Sequence, residues 1–306
     1  MTARLLDRPA LKPPLLARLQ GVSFVLPAMI LFAAFVAYPL VSGLYYSLFQ
    51  WPGYGTPQYT GFSNFTNLLT DPDFLQALRV TLAYTVCTTV LQTVVPMLAA
   101  ILFMQKWRGG AILRTIIFVP SVISLTITGL LFQLALQSDG GLVNTVLADL
   151  GLGWAARPWL ADSSLVVPVI IVVSLWQSLG FYLLIYYAGL QSIDPALYES
   201  ARVDGASGLA LTRHITIPQL RTITTLVVSL NLINGLKVFD LIYAMTSGGP
   251  GNASQSLGVY LYQLAFGNEN GGSPAFGYAD AIGVVMMFVA ALLFLGVNLL
   301  RRERQS

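Results

Sequence analysis

Charge is scarce in this chain. Only 9% of its 306 residues are Asp, Glu, Lys or Arg, where a soluble domain carries about 25%. With 56% hydrophobic residues, the composition is that of an integral membrane protein. There is one cysteine, Cys87, so an internal disulfide is excluded. One cysteine and one histidine, His214, cannot build an ordinary His/Cys zinc cluster. None of the three lysines, Lys12, Lys106 and Lys237, completes a Gly-x-x-x-x-Gly-Lys-Ser/Thr phosphate loop, so the chain carries no nucleotide site of that kind. No paired carboxylates lie deep in an apolar run, which argues against a proton or sodium relay. The net charge of +3 is spread beside the apolar runs rather than gathered in one patch, which excludes a nucleic-acid partner.

What is present is a series of long apolar runs, at about 21–49, 75–104, 111–136, 165–190, 218–245 and 278–300. Each exceeds the ~20 residues that cross a hydrocarbon core. The first is too long for a cleaved signal peptide and has no small-residue cleavage site after it, so it reads as a retained span. Residues 1–20 form a basic tail, 21–300 a transmembrane domain and 301–306 a second basic tail. Thirteen of the sixteen basic residues fall on one side of the predicted layout: the N-terminal tail, Lys106 to Arg114, Arg202 to Arg221, and the C-terminal tail. The other side carries Asp71, Asp73, Asp139, Asp149, Asp162, Glu269 and Asp280. The positive-inside rule then places both termini and the 194–218 segment in the cytoplasm. Residues 246–277, rich in Gly, Ser, Asn and Pro, read as a loop, and 144–150 as a short amphipathic helix.

The 194–218 segment is the longest polar interval on the basic side. Asp194 suits an N-cap and Pro195 a first helical turn. Tyr198, Glu199, Ser200, Ala201, Asp204, Gly205 and Ala206 follow, with Gly205 a helix stop or a point of close contact. Ile215, Thr216, Ile217 and Pro218 come next, and Pro218 is expected to open the following span. The bland alternative is a solvated connecting loop.

Glu199-Ser200-Ala201, three residues, Gly205, nine residues, Ile215-Thr216-Ile217-Pro218 resembles the cytoplasmic coupling loop of ATP-binding-cassette (ABC) importer permeases. That family's pattern is Glu-Ala-Ala, three residues, Gly, nine residues, Ile-x-Leu-Pro; Ser200 and Ile217 are mild departures. The run from Asn231 through Phe239-Asp240, Ile242-Tyr243 and Thr246-Ser247-Gly248-Gly249-Pro250 resembles the carbohydrate branch, found in maltose, glycerol-3-phosphate and multiple-sugar importers. Residues 61–82, 114–120 and 141–160 are also similar to that branch.

The resemblance implies an all-α, six-span permease of the type I importer fold in a bacterial inner membrane. It implies four kinds of partner: a second homologous permease, two ABC ATPase subunits that hold ATP and Mg, an external solute-binding protein, and a sugar-like solute. In that reading Tyr198 to Ala206 and Ile215 to Pro218 meet an ATPase.

Candidate path residues come from polar positions inside the apolar runs. Asn231 and Asn234 lie one turn apart on one helix face; they either line a polar path or bond a neighbouring helix. Ser124, Thr128, Trp176, Gln177 and Phe181 are further candidates, weighed against local backbone or interhelical bonding. Lys237 and Asp240, three apart, suit an ion pair near the outer interface. A stand-alone ion-coupled carrier and a membrane enzyme or scaffold are the competing classes. An amino-sugar or glycerophosphodiester is the competing solute.

Overall fold

The structure, a computed structural model, describes residues 15–104, 109–267 and 273–302. Most of residues 1–20, Lys106, Arg108, Glu269 and the end of the C-terminal tail lie outside the described residues.

The chain is almost wholly helical. In order it forms α1 (Leu15–Phe32), α2 (Tyr38–Tyr46), a hairpin of β1 (Phe49–Gln50) and β2 (Gln58–Tyr59), α3 (Ser63–Leu68) and α4 (Pro72–Phe103). Next come α5 (Gly110–Phe118), α6 (Leu125–Ala135), α7 (Leu142–Asp149) and α8 (Val166–Gln191). The remainder is α9 (Pro195–Val203), α10 (Gly208–Leu211), α11 (Ile217–Gln219), α12 (Arg221–Leu236), α13 (Asp240–Thr246), α14 (Leu257–Phe266) and α15 (Phe276–Arg302). The hairpin is antiparallel, with Phe49 opposite Tyr59.

Among the described residues, four helical segments are long and apolar enough to cross a membrane: Phe24–Tyr46, Pro72–Phe103, Val166–Gln191 and Phe276–Leu293. The predicted third and fifth spans are each broken rather than continuous. The third turns through 96° between Gly110–Val122 and Leu125–Ala135, and the fifth through 46° between α12 and α13. Pro120 and the N-cap at Ser124, whose Oγ accepts from Ile127 N at 3.3 Å, explain the first break. Counting each broken pair as one span gives up to six.

Two other expectations change. The 246–277 segment is not all loop, because α14 lies inside it. Helix also resumes at Gly208, before Pro218, through a π turn at Thr212–Thr216. A matching π turn, Ala33–Ala37, precedes Pro39 in the first span. Proline removes a donor and crowds the preceding turn, and a widened turn accommodates both.

The body is built on α4, which packs along α8 and α12. Small residues set the close approaches. A Cβ on Gly180 of α8 would stand 2.4 Å from the Ile117 carbonyl oxygen, and one on Gly235 of α12 would stand 2.8 Å from Thr85 of α4. With lipid as apolar as any side chain, such contacts and interhelical hydrogen bonds hold the bundle. Phe24–Tyr46, by contrast, is not buried by the rest of the chain.

Candidate functional site

The polar 194–218 segment folds as its residues require. Asp194 Oδ1 accepts from Ala196 N at 2.9 Å and caps α9. The helix ends where Ala206 N donates to Ala201 O at 2.9 Å across Gly205, which has φ +84°. That is a Schellman stop, and it needs a residue at ease in the left-handed region. Among the described residues, its two chain neighbours aside, nothing lies within 4 Å of a Cβ placed on Gly205. Between turn and close contact, the geometry of the chain itself supplies the turn.

Glu199, Ser200, Asp204 and Gly205 are exposed, and so are Leu197, Val203 and Leu209 beside them. Tyr198 turns inward instead. Its hydroxyl meets Thr216 Oγ1 at 3.1 Å, and its ring packs on a core of Tyr182, Leu183, Tyr186, Leu190, Leu220 and Val227. The exposed helix is thereby fixed to α8 and α12. Ile217 and Pro218 remain on the surface at the foot of α12, Ile215 is half-buried, and His214 Nδ1 sits 3.0 Å from the Ala210 carbonyl.

At the other end of α12 lies a polar cavity of about 320 Å³, walled by α4, α8, α12 and α13. Asn231, Asn234 and Gln177 are among its lining residues. Asn231 is buried, and among the described residues its Nδ2 has no hydrogen-bond partner. Asn234 is exposed on the cavity wall, which Tyr182 also lines. Gln177 Nε2 donates to Ile123 O at 3.2 Å, tying the wall to the break in the third span.

The remaining candidates lie elsewhere. Ser124 is the cap of α6. Thr128 is buried, next in sequence to Gly129, where a Cβ would stand 2.6 Å from that of Ala244 in α13. Trp176 and Phe181 are exposed away from the cavity lining, edge-on to Phe132 and Tyr182. Each points off the cavity because its neighbours in the helix, one residue away, point into it.

Lys237 and Asp240 are also corrected. The helix stops at Leu236, so their i, i+3 spacing is lost, and among the described residues they form no ion pair. Both instead stand on the cavity wall.

The sequence reading missed the α4 wall. Tyr84 hydroxyl donates to Ser174 Oγ at 2.8 Å, and Gln92 Nε2 donates to the same oxygen at 2.9 Å. The signal was present as Thr81, Thr85, Thr88 and Gln92, recurring every three or four residues along an apolar helix.

A second polar junction lies at the N-terminal end of α4, which Asp71 caps. Tyr260 and Tyr278 hydroxyls both donate to Asp71 Oδ2, at 2.7 and 2.8 Å. Burial works against the Asp71 charge, but these bonds and the backbone N–H groups of Phe74 and Asp73 outweigh it and hold its carboxyl below the usual carboxylate range.

The geometry is that of a polytopic membrane transport component: an exposed helix at one end of a bundle, a polar cavity further along it. The chain belongs to the family of binding-protein-dependent transport system inner membrane components, whose model matches residues 92–303. Its relatives carry the names of ABC transporter permease proteins, and three of them are permeases of lactose, arabinooligosaccharide and diacetylchitobiose systems. It is 36% identical over 277 residues to the probable ABC transporter permease protein YurN of Bacillus subtilis (strain 168), covering 89% of this chain and 92% of that one. It is 34% identical over 281 residues to the lactose transport system permease protein LacF of Rhizobium radiobacter, covering 90% and 92%. Among solved structures it is similar to a chain of a bacterial ABC transporter involved in the import of the acidic polysaccharide alginate. There the TM-score is 0.81 at 25% identity, with 94% of this chain and 96% of that one covered.

Proposed function

We propose that this chain forms half of the translocation path of an ATP-driven importer for a sugar or related polyol. Residues 21–300 are its membrane domain, with six spans and both termini cytoplasmic; residues 1–20 and 301–306 are tails. Its partners are a second homologous permease, two ABC ATPase subunits carrying ATP and Mg, and an extracytoplasmic solute-binding protein. Tyr198 to Ala206 docks on an ATPase, with Ile215, Ile217 and Pro218 forming the base of that contact.

The observation that carries this reading is one mechanical connection. Helix α12 begins beside the exposed α9 knob and ends at the polar cavity, where Asn231 and Asn234 face the space. A push on α9 is thus delivered to the cavity wall, which is what alternating access requires. Moving such an equilibrium from 1:99 to 99:1 takes about 5.5 kcal/mol of differential binding. ATP binding on the partners supplies that bias, and a weakly held sugar does not.

The test is purification of the native assembly in mild detergent, identification of its chains, and uptake of labelled sugars in proteoliposomes with and without ATP. The expected result is two ATPase copies and uptake only with ATP. Uptake by the isolated chain under an ion gradient refutes the proposal. So does reaction of Glu199→Cys, in a Cys87→Ser background, with an impermeant reagent added outside cells.

A further inference from the structure

Six aromatic rings form a continuous row on one end of the molecule. Tyr46 stacks on Trp51 with centroids 4.5 Å apart; Trp51 meets Phe276 at 6.0 Å, and Phe276 meets Phe266 at 5.9 Å. Phe266 then meets Tyr262 at 5.0 Å, and Tyr262 meets Phe239 at 5.1 Å. Phe239 is itself part of the polar cavity wall. None of the six is buried, and Phe266 is 66% exposed.

The chain makes room for this row. A Cβ on Gly53, which has φ +93°, would lie 2.3 Å from the Phe276 ring. One on Gly277 would lie 2.0 Å from Phe49 O and 3.0 Å from Tyr46 O. Gly277 N donates to Trp51 O at 3.1 Å, and Ala275 N to Leu264 O at 2.8 Å, so the hairpin, α14 and the start of α15 are tied together under the rings.

Burial alone does not account for the arrangement, since each ring keeps open surface. An interfacial belt does not account for it either. Belts favour Trp and Tyr, whose polar tips reach water, whereas three of these six rings are Phe, and the row leads to a polar cavity rather than around the bundle.

The rings are inclined to one another by 25° to 75° rather than coplanar, and we propose that the row is an outer subsite line for saccharide, along which sugar rings lay their C–H faces on the open aromatic surfaces in turn before entering the cavity at Phe239. This rests on the sugar reading above. Saccharides suit the site because each ring has an apolar face and a hydroxyl-bearing edge, and sites of this kind pair aromatic walls with a few polar groups. The cavity supplies those groups from Asn231, Asn234 and Gln177.

The test uses the full importer in proteoliposomes with a labelled panel of glucose, galactose, xylose and N-acetylglucosamine, each as monomer and as linear oligomers up to six units. Phe266→Ala removes the most exposed ring of the row. Losing one ring contact raises KM for the longer oligomers by about 2- to 10-fold, leaves monomers and dimers unchanged, and is restored by Phe266→Trp. Three results overturn the inference: an equal loss at every length together with lost binding-protein stimulation of ATP hydrolysis, an unchanged length profile, or a wild-type importer confined to monomers. A wild-type importer that moves nothing in the panel removes the sugar reading itself, and the inference with it.

Discussion

Replacing Gly205 separates the two jobs that a glycine can do at the end of α9. Gly205 has φ +84°, and Ala206 N closes the helix onto Ala201 O only in that conformation. Alanine there incurs the left-handed penalty of about 1–2 kcal/mol. That changes the ratio of wound to unwound helix end by a factor of about 5–30. Among the described residues nothing beyond its chain neighbours stands within 4 Å of the added Cβ, so no clash with them adds to the figure. Asparagine is larger but tolerates the left-handed region. Gly205→Ala therefore lowers ATP-dependent uptake and solute-stimulated ATP hydrolysis by about 5- to 30-fold, with normal membrane insertion, and Gly205→Asn restores most of both. The assay is uptake and ATPase rate of the reconstituted importer, normalised to assembled complex. If Asn is as inactive as Ala, the lost function comes from bulk against the ATPase, and the turn argument is refuted. Wild-type rates for Ala refute it as well.

Three further outcomes follow from the same geometry. Asn234→Leu places an apolar side chain on the cavity wall; solute KM or maximal uptake should change by about 5-fold or more, from a lost hydrogen bond to solute of about 1 kcal/mol, and unchanged kinetics across several sugars would place Asn234 in packing only. Gly180→Ala should destabilise the chain by about 1–3 kcal/mol, because its Cβ meets the Ile117 carbonyl at 2.4 Å; a thermal-shift midpoint in detergent equal to wild type contradicts this. Asp71 has a folded pKa below its unfolded value, so its contribution is fully present above the ordinary carboxylate pKa of about 3.9 and is lost as pH falls through the folded value. Asp71→Asn should therefore lower the thermal midpoint at pH 7, and the gap to wild type should close only at pH values well below 4; a gap that closes already near pH 6 contradicts the assignment.

Composition and spacing alone made this a membrane protein, located its apolar runs and singled out the segment around Glu199. Those properties are written locally: scarcity of charge, run length, a cap at Asp194 and a stop at Gly205 each depend on residues near one another in the chain. The tertiary structure decided what the apolar runs do. It bent the third and fifth, because Pro120 and the cap at Ser124 break one and the helix ends at Leu236 in the other. It moved Lys237 and Asp240 from an expected pair to a cavity wall, turned Trp176 and Phe181 away from that cavity, and added Tyr84 and Gln92 to it. In a helix that is apolar nearly all round, no stripe of hydrophobic residues marks the inner face. Which polar residue meets a cavity is set by how α4, α8 and α12 rotate against one another. The close contact of Gly235 with Thr85 sets α12 against α4, and that of Gly180 with Ile117 sets α8 against α5, in each case between residues far apart in the chain.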